Sequence, residues 1–401
     1  MNLIDFIRYL LIVTIFQSNI CNIHSINIEN KNKKNEINNE DIIVGANQIS
    51  KYIDYINKSN IGIVANHTSV IFKKDNSSTH LVDSLLSLNF KISKIFTPEH
   101  GYKGENYNGE NVSDKVDQKT GLEIISLHGK DREYGKISDN DLIDINMMIF
   151  DIQDVGTRFY THISTLHYVM EACARNNIPL LVLDRPNPNG SYIDGPVLEN
   201  ENKSFVGMHP VPIVYGMTIG EYALMINGEG WLSDKLKCKL KVIKLLNYKH
   251  DYNYSLLIKP SPNLPNDRSI FLYPSLCLFE GTNVSVGRGT TNQFQVFGSP
   301  YLDQKIYSFT FIPEPKQSSK YPPHNNKKCY GLDLRDHLLE RKLNLSYIIN
   351  AYKNTANKSE FFNDYFIKLS GTKDLKNQII NNISEKIIRK SWKDKIDEFK
   401  L

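Results

Sequence analysis

The chain has 401 residues, of which 40% are hydrophobic and 23% charged, and its formal net charge is +4. That is enough apolar material for two domains with cores of their own, and the composition is globular rather than disordered or fibrous. The positive balance is weak, and no dense Lys/Arg stripe interleaved with aromatics occurs, so no nucleic-acid partner is expected.

Residues 9–16 form a short apolar run after Arg8. The run is too short to span a bilayer but suits the apolar region of a signal peptide. A signal peptide is therefore expected over 1–22, although Asp5 offsets Arg8 and weakens the basic region before it. Export to the periplasm or the exterior follows. Cys21 comes after Ile20, where a lipoprotein signal wants a small residue, so lipidation is the lesser option. Residues 23–41 are rich in Asn and Lys and read as a linker. The five cysteines are scattered, with no CxxC pair, which suggests neither a disulfide framework nor a zinc knuckle. Cys173 falls on the apolar side of a helix and reads as a small core residue.

From residue 42 the pattern becomes periodic. Val44, Ile49, Tyr52, Ile53 and Ile56 are near helical spacing. The first apolar strand, 61–65, stops at Asn66-His67-Thr68-Ser69. A helix over 80–88 leads to a strand at 92–96, which stops at Thr97-Pro98-Glu99-His100-Gly101. The strand at 122–127 stops at His128-Gly129. The strand at 145–150 runs into Asp151-Ile152-Gln153-Asp154, followed by Arg158 and Tyr160. A helix over 159–177 leads to a strand at 178–183, which stops at Asp184-Arg185-Pro186-Asn187-Pro188. Thr218 and Glu221 have capping-box spacing at the head of a helix over 218–227, and a sixth strand is expected at 240–245.

Alternating strands and helices predict an α/β fold with a mostly parallel, Rossmann-like sheet over 42–254. The first five strands each end in a polar cluster at the carboxyl edge, where open α/β sheets bind ligands. No GxGxxG follows the first strand and no GxxxxGK[ST] occurs, so a nucleotide cofactor is not expected. From residue 255 the texture changes to a smaller α+β region. Lys259-Pro260-Ser261-Pro262-Asn263-Leu264-Pro265 is a stiff extended segment. Glu280 and Arg288 sit in a loop punctuated by Gly281, Gly287 and Gly289. Short strands are expected beyond about 309, then helices such as 375–390.

Pro98-Glu99-His100-Gly101, Phe150-Asp151-Ile152-Gln153-Asp154-Val155-Gly156, Asp184-Arg185-Pro186-Asn187-Pro188, Pro260-Ser261-Pro262-Asn263 and Glu280-Gly281-Thr282-Asn283 occur in this order. Together they resemble the exo-β-N-acetylmuramidases of glycoside hydrolase family 171, over roughly 42–395. The resemblance implies release of N-acetylmuramic acid from the non-reducing end of peptidoglycan fragments. It also implies a cleft between a Rossmann-like domain and a smaller one, with Glu99 as candidate catalytic acid.

The residues themselves support such chemistry. Glycoside hydrolysis takes one carboxylic acid and a second group acting as base or nucleophile. Glu99, Asp151 and Asp154 are the catalytic candidates, with Asp184 and Glu280 also eligible for the second role. A 2-acetamido sugar attacking its own anomeric carbon is a further option. Substrate contacts are expected from Asn66, His67, His100, His128, Gln153, Tyr160, Asp184, Asn263 and Glu280. Muramic acid carries a lactyl carboxylate, and an arginine fork suits it; Arg158, Arg185 and Arg288 are the candidates. The three histidines lack helical HxxxH spacing, so no metal and no other cofactor is expected. Three alternatives remain. One is a β-N-acetylglucosaminidase, and another is a cell-wall sugar-binding protein without turnover. The third is an esterase or amidase, for which no GxSxG elbow appears.

Overall fold

The structure is a computed structural model that describes residues 42–75, 77–104, 114–128 and 135–401. The signal peptide and linker expected over 1–41, and Gly129, lie outside the described residues. Residues 42–401 belong to one compact unit.

Apolar runs become strands here because helices cover both faces of the sheet. β1 is Asn60–Ala65, followed by a small antiparallel pair, β2 (Val70–Phe72) with β3 (Ser78–His80). β4 is Lys91–Thr97, β5 Lys115–Val116, β6 Glu123–Ser126, β7 Met147–Asp151, β8 Leu180–Leu183 and β9 Leu240–Ile243. The main sheet runs β5-β6-β4-β1-β7-β8-β9, and every pairing is parallel except β5 with β6. Six of its strands are the runs read from the sequence; only the short edge strand β5 was not anticipated. Side chains alternate between the faces with a period of two. Val64, Phe96, Phe150 and Val182 pack beneath the helices His162–Arg175 and Ile219–Gly228. Ile63, Ile95, Ile149 and Leu181 face the helix Leu81–Ser87 and the segment 44–56. Thr218 and Glu221 close the expected capping box: the Glu221 amide donates to Thr218 Oγ1 at 3.2 Å and the Thr218 amide to Glu221 Oε2 at 2.9 Å.

The second part begins with the helix Asp267–Leu276. It then builds an antiparallel sheet of β10 (Val296–Ser299), β11 (Phe309–Phe311) and β12 (Cys329–Asp333), in the order β10-β12-β11. Five short helices follow among the described residues, from Ser346–Lys353 to Lys393–Phe399. Phe279, Phe297, Phe361, Phe366 and Trp392 share its core.

Three expectations change. The helical spacing over 42–57 yields only short turns and the single-turn helix Ile53–Ile56. Gly45 is held against the end of β8, its amide donating to Asp184 O at 2.8 Å, and a Cβ there would come within 2.5 Å of the Asp184 nitrogen. The helix expected at 159–177 starts at His162, because the Arg158 amide is committed to Ile213 O at 2.8 Å. The helix expected at 375–390 is two helices, Asp374–Ile380 and Glu385–Ser391, with Asn382 in the left-handed region between them (φ 55°).

Arg158 joins the two halves of the unit. Its guanidinium is fully buried and donates to four carbonyls: Pro196 and Val211 at 2.8 and 2.7 Å, Leu369 and Ser370 at 3.0 and 2.7 Å. Burial pulls its pKa down to about 9, so it is still a cation at neutral pH. Arg158→Met would strip four buried acceptors of their donor, and each orphaned group is costly. We expect a loss on the order of 3–5 kcal/mol in urea unfolding. A loss below about 1 kcal/mol would contradict the clasp.

Candidate active site

β4 delivers Glu99. After Thr97 and Pro98 the chain turns sharply, with His100 and Gly101 both left-handed (φ 71° and 73°) and the Gly101 amide closing onto Pro98 O at 3.1 Å. Glycine takes this conformation freely, whereas histidine takes it only under constraint, a pattern common at functional sites. β6 lies beside β4 with Thr97 opposite Ser126, so His128 emerges next to Glu99. His128 Nε2 is 3.9 Å from Glu99 Oε1. Burial pulls the His128 pKa below its usual value, against the opposing pull of the Glu99 charge.

Glu99 and His128 line a cleft of about 380 Å³. His100 and Tyr160 join them from the sheet side, Asn263 from the segment 259–265, and Glu280 and Arg288 from the second half. The Pro-rich segment 259–265 is stitched to the sheet edge. Tyr160 donates its hydroxyl to Pro260 O at 2.9 Å, and His100 Nε2 lies 3.2 Å from Ser261 Oγ. The Asn263 Nδ2 donates to Ser318 O at 3.1 Å. Arg288 donates through Nε to Glu280 Oε1, and its guanidinium stands 5.2 Å from the centre of the Phe294 ring. His162, Tyr273, Phe294 and Tyr365 also line the cleft, and sequence reasoning missed them. His162 was hidden because it fell inside an expected helix instead of at its first turn.

The other expected residues are placed elsewhere, in a polar frame behind the cleft. Asp151 is fully buried and held by Arg185 through Nε at 2.6 Å and Nη2 at 2.8 Å; Arg185 also donates to Val70 O at 3.0 Å. Asn66 Oδ1 accepts from Thr68, whose hydroxyl in turn accepts the Gln153 amide at 3.1 Å. Gln153 Nε2 donates to Asp154 O and Pro186 O at 2.7 and 2.6 Å. Asp184 accepts from Thr218 Oγ1 at 2.9 Å and from the Gly220 amide at 2.8 Å. His67 faces a different depression, with Nε2 2.9 Å from Lys259 O. Asp154 accepts from the Tyr215 hydroxyl and, at 2.7 Å, from the Gly156 amide, and it does not line the cleft. Of the three expected carboxylates, Glu99 lines the cleft, while Asp151 accepts from Arg185 and Asp154 from Tyr215 and the Gly156 amide.

Burial raises the Asp154 carboxyl to about 6. Its folded pKa thus exceeds that of the unfolded chain, so the stability it contributes is present at low pH. That stability is lost as pH rises through about 6. Between pH 5 and 8 the loss amounts to about 1 kcal/mol. Asp154→Asn does not titrate, so its stability relative to the wild type should improve by that amount from pH 5 to 8 in parallel thermal melts. A difference between the two proteins that does not vary with pH would contradict the raised pKa.

Two family models match the chain, "Exo-beta-N-acetylmuramidase NamZ, N-terminal" over residues 61–268 and "Exo-beta-N-acetylmuramidase NamZ, C-terminal" over 271–401. The peptidoglycan beta-N-acetylmuramidase NamZ of Bacillus subtilis (strain 168) is 36% identical over 359 residues, covering 84% of each chain. Two crystal structures of DUF1343 family proteins from Bacteroides fragilis superpose well. One has TM-score 0.81 and 42% identity over 90% of this chain and 96% of its own. The other has TM-score 0.74 and 28% identity over 90% and 97%. The order of motifs, the parallel sheet with its smaller α+β partner, and these matches agree: the chain belongs to the exo-β-N-acetylmuramidase NamZ family.

Proposed function

We propose that the chain is an exo-acting glycosidase that releases N-acetylmuramic acid from the non-reducing end of peptidoglycan fragments. One observation carries this reading beyond family membership: a carboxyl group and a cation with an unspent donor share the same cleft. The carboxyl is Glu99. The cation is Arg288, whose Nη1 is buried without a hydrogen-bond partner. Arg185 is held by Asp151, Arg158 gives both Nη groups to backbone carbonyls, and neither lines the cleft, so of the three candidates Arg288 suits the lactyl carboxylate.

Glu99 protonates the leaving oxygen. Burial draws the His128 imidazole beside it toward its neutral form, so little positive charge stands next to the acid. Glu280 holds Arg288 by Nε, which frees the Nη edge for substrate. It is also the other carboxylate lining the cleft among the described residues, and it brings negative charge to a site where an oxocarbenium-like transition state develops positive charge. The polymer lies outside the cytoplasm. This reading therefore places the protein in the periplasm or secreted, in keeping with the leader expected over 1–22.

Glu99→Gln should keep its melting temperature and lose about two to four decades of kcat on a muramoside with a poor leaving group. Near-normal turnover would remove Glu99 from the acid role. Arg288→Met should cost on the order of 2–5 kcal/mol in kcat/KM on muramosides, with weak activity on glucosaminides held or raised. A parallel fall on both substrates, together with a lower melting temperature, would make Arg288 structural only.

A further inference from the structure

Arg288 Nη1 is not the one unpartnered atom in this cleft. Neither ring nitrogen of His162 has a hydrogen-bond partner, nor does Oδ1 of Asn263. Both side chains are buried, and both line the cleft. Folded proteins rarely leave such atoms unpaired, so each calls for a cause. The Asn263 amide is oriented by its own bond, since Nδ2 donates to Ser318 O and leaves Oδ1 as a spare acceptor. His162 stands edge-on to Tyr160, ring centres 4.7 Å apart, at the first turn of its helix. Burial, aided by nearby His100 and His67, pushes its pKa down to about 3. It is therefore a neutral imidazole with one N–H to give and one lone pair to fill.

A carboxylate does not suit this pair, because a neutral ring offers no charge and the Asn263 oxygen repels an anion. A group that brings both a donor and an acceptor, and no charge, does suit it. The neighbouring wall is apolar, with Leu264, Tyr273, Cys277 and Phe294. A secondary amide bearing a methyl group satisfies all three features at once. We propose that Asn263 and His162 recognise the 2-acetamido group of the bound sugar. Asn263 Oδ1 accepts the amide N–H, His162 donates to the carbonyl, and the methyl meets the apolar wall. The assignment rests on the glycosidase reading above and names the substituent that the same cleft selects.

The test compares sugars that differ only at carbon 2. Chromogenic muramosides with an acetamido or a hydroxyl group there are assayed for kcat/KM. N-acetylglucosamine and glucose are titrated by calorimetry as a readout that needs no turnover. The wild type should prefer the acetamido member of each pair by roughly tenfold or more. His162→Phe and Asn263→Leu should each shrink that preference to within about threefold. His162→Gln, which keeps a donor and an acceptor, should retain most of it. If Asn263→Leu is unfolded in thermal melts, the His162 pair decides alone. Equal losses on both members of a pair, or an unchanged preference, would overturn the proposal. Amide preference in binding without muramoside cleavage would sink the glycosidase reading and leave this one standing. Cleavage without amide preference would do the reverse.

Discussion

The bidentate ion pair between Asp151 and Arg185 is the constraint on which the rest of the site depends. It lies at the carboxyl ends of β7 and β8, with both partners buried. Desolvating two charges is expensive, and such a pair adds little net stability. What it fixes is position. Arg185 reaches across to Val70 O, and Ser69 donates to the Asp151 carbonyl, so three loop beginnings are tied at one level. Gln153, Thr68 and Asn66 extend the tie from one loop to the next. The neighbouring strand β4 then presents Glu99 beside this hydrogen-bonded frame.

That frame explains why the strands were easier to read than the roles of the residues that end them. Runs such as 61–65 and 145–150 are apolar because both faces of the sheet are covered, and period and length suffice to identify them. Polarity at a strand end is ambiguous. Asp151 and Glu99 each follow an apolar run closely, and nothing in composition separates an acid that will meet an arginine from one that will face a cleft. The difference lies in the turn. Pro98-Glu99-His100-Gly101 places two residues in the left-handed region and directs Glu99 outward, whereas Asp151 is still within its strand. The rest of the cleft was legible where proline and glycine marked it, at Asn263, Glu280 and Arg288. His162 was not, because a histidine in a helical pattern carries no mark of the helix start. Its importance comes from unpaired nitrogens that only three-dimensional packing reveals.

The division of labour among the arginines follows the same logic. Arg158 and Arg185 both follow strand-end aspartates in sequence, yet one holds backbone from distant segments together and the other neutralises a buried acid. Arg288 keeps an unspent donor because Glu280 occupies only its Nε edge. A cation oriented from behind loses little entropy when an anion arrives in front, which is the economy of a preorganised site. The same cleft combines that cation with a neutral donor–acceptor pair and a carboxyl beside a neutral histidine. On the proposed reading these serve an anion, an amide and a proton transfer in one cavity of about 380 Å³.

The central claim is that this cleft hydrolyses glycosides of N-acetylmuramic acid and reads their extra carboxylate. The most direct measurement sets the purified wild-type protein on a chromogenic β-N-acetylmuraminide and on the matching β-N-acetylglucosaminide side by side. A kcat/KM at least about a hundredfold higher for the muraminide is expected from one charge pairing in a partly dry site. Equal turnover of the two, or release from the glucosaminide alone, would contradict it.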